Sequence, residues 1–93
     1  MDNLNEKYLI SLEQKLNETT EWPSVYMFKF IIPADNRKIA MVEALFEEEA
    51  QLFTKESSNG KYISITLKVV MLNALDVIEI YRSATRIEGL IAL

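Results

Sequence analysis

Ser58 and Lys61 stand three residues apart in the stretch Ser57-Ser58-Asn59-Gly60-Lys61-Tyr62. A serine hydroxyl beside a lysine amine is one way to build a nucleophile and its base. Nothing else in the chain adds to such a site. Histidine and cysteine are both absent, so the commonest general base, the thiol nucleophile and the usual zinc ligands are missing together. Ser57, Ser58 and Ser64 therefore have no imidazole to activate them. Aspartate occurs only as Asp2, Asp35 and Asp76, too scattered for a carboxylate cation loop. The run Glu47-Glu48-Glu49 is dense in charge, but adjacent residues point in different directions. It reads as a solvated turn rather than a metal site. No phosphate-cradling glycine loop and no dinucleotide fingerprint is present. Turn geometry accounts for the Ser-Lys stretch more simply, because Asn-Gly between alternating segments is a strong hairpin signal. The expectation is a protein without catalytic residues, cofactor or metal.

With 93 residues, 49% of them hydrophobic and 26% charged, the chain reads as one small globular unit with a modest core. Its apolar runs are too short to span a bilayer. The start, Met1-Asp2-Asn3-Leu4-Asn5-Glu6, lacks the order of a signal peptide, so a cytoplasmic location is expected. A net charge of −4 disfavours loose binding to nucleic acid or an anionic membrane.

The elements that must position any surface follow from periodicity. Leu4, Tyr8, Leu12 and Leu16, with Leu9 nearby, predict an amphipathic helix over 4–17. Residues 1–20 are read as this helix and a linker, and 21–93 as the domain proper. After Trp22-Pro23 a strand places Tyr26, Phe28, Phe30 and Ile32 on one face, with Val25, Met27, Lys29 and Ile31 on the other. Asp35 can cap a helix carrying Ile39, Val42, Leu45 and Phe46. Residues 50–57 and 61–70 form a hairpin about a two-residue Asn59-Gly60 turn. Lys55 then faces Ser64, Phe53 faces Thr66, and Gln51 faces Lys68 on one side. Leu52 with Leu67 and Thr54 with Ile65 lie on the other. Asn73 and Asp76 suggest a capped helix with Val77, Ile78, Tyr81 and Ala84 on its stripe. A last strand over 86–92 puts Ile87, Gly89 and Ile91 inward and Glu88 and Leu90 outward. The predicted core is Phe28, Phe30, Val42, Phe46, Ile63, Ile65, Leu67, Ile78, Tyr81, Ile87 and Ile91. The order β-α-β-β-α-β, after a leading helix, predicts an α+β ferredoxin-like sandwich. Both crossover helices lie on one face of a four-stranded antiparallel sheet, with the first and third strands central.

Residues 21–93 resemble the YbeD-like family of small bacterial proteins. The likeness rests on the Tyr26-x-Phe28-Lys29-Phe30 run, the hairpin Ser57 to Thr66, and Tyr81 to Leu93 with Ile87-Glu88-Gly89. The resemblance implies a βαββαβ fold like the regulatory ACT domains of amino-acid metabolism, and no established activity. Ligand-binding ACT domains place a glycine after the first strand. Here that loop is Pro33-Ala34-Asp35-Asn36-Arg37, which argues against amino-acid sensing.

The function expected is a regulatory or protein-interaction module working through the open side of the sheet. Its interaction residues would be Met27, Lys29, Phe53, Lys55, Tyr62, Ser64, Thr66, Lys68 and Leu90, binding a protein partner or a second copy. The N-terminal helix folding over this side is the competing arrangement. A small-molecule sensor and a single-stranded RNA binder are the alternatives. For RNA, Gly60-Lys61-Tyr62 resembles the third-strand signature of RNA-recognition motifs, but Met27 and Ser64 stand where further stacking aromatics are wanted.

Overall fold

The computed structural model describes residues 4–46 and 50–93. It contains helix α1 (Glu6–Thr19), strand β1 (Ser24–Pro33), helix α2 (Asn36–Glu43), strands β2 (Gln51–Glu56) and β3 (Tyr62–Met71), helix α3 (Ala74–Ala84) and strand β4 (Ile91–Ala92). The sheet order is β2-β3-β1-β4 with every pairing antiparallel. This is the ferredoxin-like arrangement, with β1 and β3 in the centre. The run Glu47-Glu48-Glu49 lies outside the described residues.

Each helix begins on a side-chain cap that satisfies an otherwise orphaned amide. Asn5 Oδ1 accepts the Tyr8 N–H at 2.8 Å, Asp35 Oδ1 the Arg37 N–H at 2.8 Å, and Asn73 Oδ1 the Asp76 N–H at 2.8 Å. The long central strands obey the period-two rule. Phe28, Phe30 and Ile32 are fully buried beneath the helices, as are Ile65 and Leu67 on β3.

The β2–β3 register matches the expectation pair for pair, from Gln51 opposite Lys68 to Glu56 opposite Ile63. The turn differs. The Ser57 N–H donates to the Tyr62 carbonyl at 2.8 Å, and the Gly60 N–H to the Ser57 carbonyl at 2.9 Å. Ser58 to Lys61 therefore form a four-residue loop around a type I turn, instead of a two-residue turn. A type I′ hairpin would need positive φ at Asn59 as well, and among the described residues only Gly60 (72°) and Gly89 (82°) have it. The Asn59 side chain is occupied instead: its Oδ1 accepts from Ser57 Oγ at 2.9 Å and from the Lys61 N–H at 3.0 Å. The two loop types are nested about the same centre, so the strand register is unchanged. Replacing Gly60 with Val should lower stability by about 1–3 kcal/mol through backbone strain alone, since a Cβ there meets only the Glu56 carboxylate, 4.0 Å away. A thermal melt reads this directly, and an unshifted midpoint would contradict the left-handed conformation at Gly60.

The core is one cluster centred on aromatic rings. The Phe28 ring lies 4.7 Å from Tyr26, 5.2 Å from Phe46 and 5.3 Å from Tyr81. The Tyr26 and Tyr81 hydroxyls meet at 3.1 Å. Burial, reinforced by that hydrogen bond, pushes the Tyr81 phenol far above its ordinary range, so it stays neutral. Phe46 and Ile63 pack on the core's margin, half-buried.

Two expectations are corrected at the C-terminal end. Ile91 is 48% exposed and Leu90 only 7%, the reverse of the predicted faces. The cause is the path of the chain after α3. Backbone bonds from the Ile87 N–H to the Ala84 carbonyl and from Leu90 to Ile87 continue as successive turns. Ile87 and Leu90, three apart, therefore both turn inward, as residues do in helical turns rather than in a strand. Only Ile91–Ala92 pairs with β1, opposite Ile31 and Phe30. Ala92 thus shares the buried side with Phe30, and Ile91 the outer side with Ile31.

α1 packs against α3, on the helix side of the molecule. Leu9 is fully buried and Leu4 nearly so, with Leu12 and Leu16 at the cluster's edge. Tyr8, expected on this stripe, is exposed instead. The stripe runs through Leu9, Leu12 and Leu16, which rotates Tyr8 toward the rim. Arg82 of α3 donates to both Glu6 oxygens, Nε to Oε2 at 2.9 Å and Nη2 to Oε1 at 2.9 Å, while Nη1 reaches Glu79 at 2.7 Å. The guanidinium holds the Glu6 carboxyl below its usual range. All three groups are solvated, so the pairs orient α1 more than they stabilise it.

Candidate functional site

With α1, α2 and α3 all on one side, the other face of the sheet is left bare. Its residues follow from the pairing. Across the strands, Val25 lies beside Val70; Gln51, Lys68 and Met27 form the next row; Phe53, Thr66 and Lys29 the next; then Lys55, Ser64, Ile31 and Ile91; and finally Tyr62 with Pro33. The Leu93 N–H donates to the Lys29 carbonyl at 2.9 Å, which extends the Lys29 row by one residue. Antiparallel pairing makes these rows contiguous, with side chains about 5 Å apart across strands.

Many of these residues are apolar and uncovered. Met27 is 56% exposed, Phe53 53% and Tyr62 48%, with Val25, Val70, Ile91 and Leu93 similarly open. Scattered exposed hydrophobes are ordinary, but a contiguous set on one flat face is not. Three lysines rise among them. The Lys68 ammonium sits over the Phe53 ring, 5.9 Å from its centre, a cation–π distance. Ser64 Oγ reaches the Lys55 carbonyl at 3.5 Å.

Of the residues expected to form this face, Met27, Lys29, Phe53, Lys55, Tyr62, Ser64, Thr66 and Lys68 are brought together on it. Leu90 is not: it is buried in the turn after α3 and belongs to the core. Val70, Ile91 and Leu93 complete the face and were missed. Val70 was within reach of sequence reasoning, since it extends the alternation of Thr66 and Lys68 by one step.

Within the Ser57 to Tyr62 stretch, Ser57, Asn59 and the Lys61 amide hold the hairpin loop. The Ser57 hydroxyl donates to Asn59 and accepts the Tyr62 N–H at 3.0 Å. Among the described residues, no three acidic, histidine or cysteine side chains gather where they could hold a metal. No helix there is long and apolar enough to cross a membrane. A cavity of about 390 Å³, unforeseen from the sequence, opens on the other side between the end of β3, α3 and the Leu45-Phe46 segment. Its lining is mostly apolar, including Leu72 and Ile80, with the Asp76 and Glu79 side chains among its walls. Glu79 is already paired to Arg82.

A small α+β domain with one bare, apolar and lysine-bearing sheet face is thus the class of protein that the fold defines. The chain belongs to the family described as proteins of unknown function DUF493, which it matches over residues 17–93. It is similar to a UPF0250 protein of Shewanella halifaxensis (strain HAW-EB4), 29% identical over 82 residues, covering 84% of this chain and 93% of the relative. A UPF0250 protein of Shewanella piezotolerans (strain WP3 / JCM 13877) is similar to the same extent, 29% identical over 82 residues. No solved structure matches the chain. The family match begins inside α1, so most of that helix precedes it.

Proposed function

We propose that this protein is a non-catalytic interaction module whose outer sheet face binds another protein chain. The observation that carries the reading is the bare face itself: Val25, Met27, Phe53, Tyr62, Val70 and Ile91 are exposed side by side on a rigid four-stranded scaffold. A surface of this kind gains free energy when a partner removes it from water. The position of α1 supports the same reading, because that helix packs on α3 and leaves the face open. Regulation by docking fits a domain of this size, which would act through a partner's surface rather than through a reaction of its own.

Phe53 and Tyr62 are the anchors expected to dominate, since buried aromatics carry most of the free energy of such interfaces. The double variant Phe53→Asp with Tyr62→Ala should keep its thermal midpoint, because both side chains are exposed. It should weaken association by at least roughly 30-fold, the loss expected from even one of these two anchors. Light scattering over a concentration series, with partner capture by wild type and variant in parallel, reads both properties. A wild type that stays monomeric at high concentration and recovers no partner through this face would contradict the reading.

A further inference from the structure

We infer that the partner of the outer face is an acidic chain segment carrying apolar anchors, rather than a second copy of this protein; the inference rests on the reading of that face as a docking surface. The charged residues at the paired strand positions of the face are all lysines. Lys29, Lys55 and Lys68 all occupy outward positions, as the pairing of Lys29 with Thr66, Lys55 with Ser64 and Lys68 with Met27 requires. At the paired strand positions of this face there is no Asp or Glu, although the chain as a whole carries −4. The ion pairs described lie on the far side of the molecule, between Arg82 and the Glu6 and Glu79 carboxylates. Among the described residues the three outer lysines have no such ion-pair partner.

Their spacing suits an extended or helical segment. Taking about 4.8 Å between strands and about 7 Å between same-face residues along a strand, the three Cα positions are about 8–15 Å apart. Apolar side chains lie between them, with Phe53 and Met27 flanking Lys68. A ligand that matches this pattern alternates carboxylates with apolar side chains. Opposite charge then steers encounter and sets orientation, while the apolar anchors hold the complex.

A second copy fits poorly. A two-fold axis through this face would bring six lysines together with no carboxylate between them, and like charges brought together at an interface disfavour the complex. Single-stranded nucleic acid would match the charge, but most of the exposed apolar side chains here are aliphatic and offer no ring on which bases stack.

The test is selection from a phage-displayed random peptide library on the wild-type protein, with counter-selection on the Phe53→Asp/Tyr62→Ala variant. The expected winners are enriched in Asp and Glu alternating with Leu, Ile or aromatic residues. A winning peptide should bind about tenfold more weakly to the Lys29→Glu/Lys68→Glu variant, and also when its own carboxylates are replaced by amides. Its affinity for wild type should fall as salt is raised. Winners without acidic enrichment, or equal affinity for the amide version, would overturn the inference and leave the docking surface standing. So would self-association that these lysine substitutions abolish, or preferential binding of oligouridylate to the same face. A library that yields no peptide depending on Phe53 and Tyr62 would overturn the inference and the docking surface together.

Discussion

Replacing Phe28 or Phe30 with Ala is expected to destabilise the protein by about 3–5 kcal/mol, the range for deleting a fully buried aromatic ring. A chain of this length has a total stability of about 5–14 kcal/mol, so either variant should be largely or partly unfolded at moderate temperature. Phe28 is the more costly of the two. Its ring touches Tyr26, Phe46 and Tyr81, and so joins β1, α3 and the end of the α2 segment. Removing it also loosens the surroundings of the Tyr26–Tyr81 hydroxyl pair. Met27, immediately before Phe28 on the opposite face and 56% exposed, is the internal control: Met27→Ala should shift stability by less than about 1 kcal/mol. Chemical denaturation of the three variants checks this, and a Phe28→Ala midpoint near wild type would mean that the faces of β1 are reversed.

The second large effect is expected at α1. Leu9→Ala should cost about 2–4 kcal/mol, because the side chain is fully buried between α1 and the rest of the core and its loss leaves a cavity. Tyr8→Ala, one position away and half-exposed, should cost far less. The contrast is diagnostic of how the helix is rotated. It also separates two architectures. A helix lying over the outer face would, when weakened, uncover Phe53 and Met27. A helix on α3 should lower stability while leaving the reactivity of those outer residues unchanged. Methionine oxidation rates report this: Met27 should oxidise quickly in wild type and no faster in Leu9→Ala under native conditions.

What was legible in the sequence was set by period and by one turn. Between Tyr26 and Ile32 only Lys29 is polar, and strand parity then marks its side as the outer one, so both faces of β1 could be assigned. The Asn59-Gly60 pair centred the hairpin, and every β2–β3 partner followed. The loop type did not follow, because a two-residue and a four-residue loop about one centre predict the same register. β4 failed for a physical reason. Ile87-Glu88-Gly89-Leu90-Ile91 offers apolar residues both two and three apart, and only the turns beyond α3 decide that Ile87 and Leu90 share a side. α1 failed in a similar way. Leu4, Tyr8, Leu9, Leu12 and Leu16 allow two overlapping stripes, and Tyr8 can tolerate the rim because its hydroxyl is polar. The outer face was largely readable from strand parity. Its emptiness was not, since that depends on where α1 docks.

Chemical-shift mapping of the isotope-labelled protein with a peptide taken from the selection tests the central claim most directly. The account predicts perturbed amides across the outer face, at Met27, Lys29, Phe53, Thr66 and Lys68, with the α1 and α3 amides unmoved. Perturbations centred on Leu72, Asp76 and Ile80 around the cavity, with the outer face silent, would contradict it.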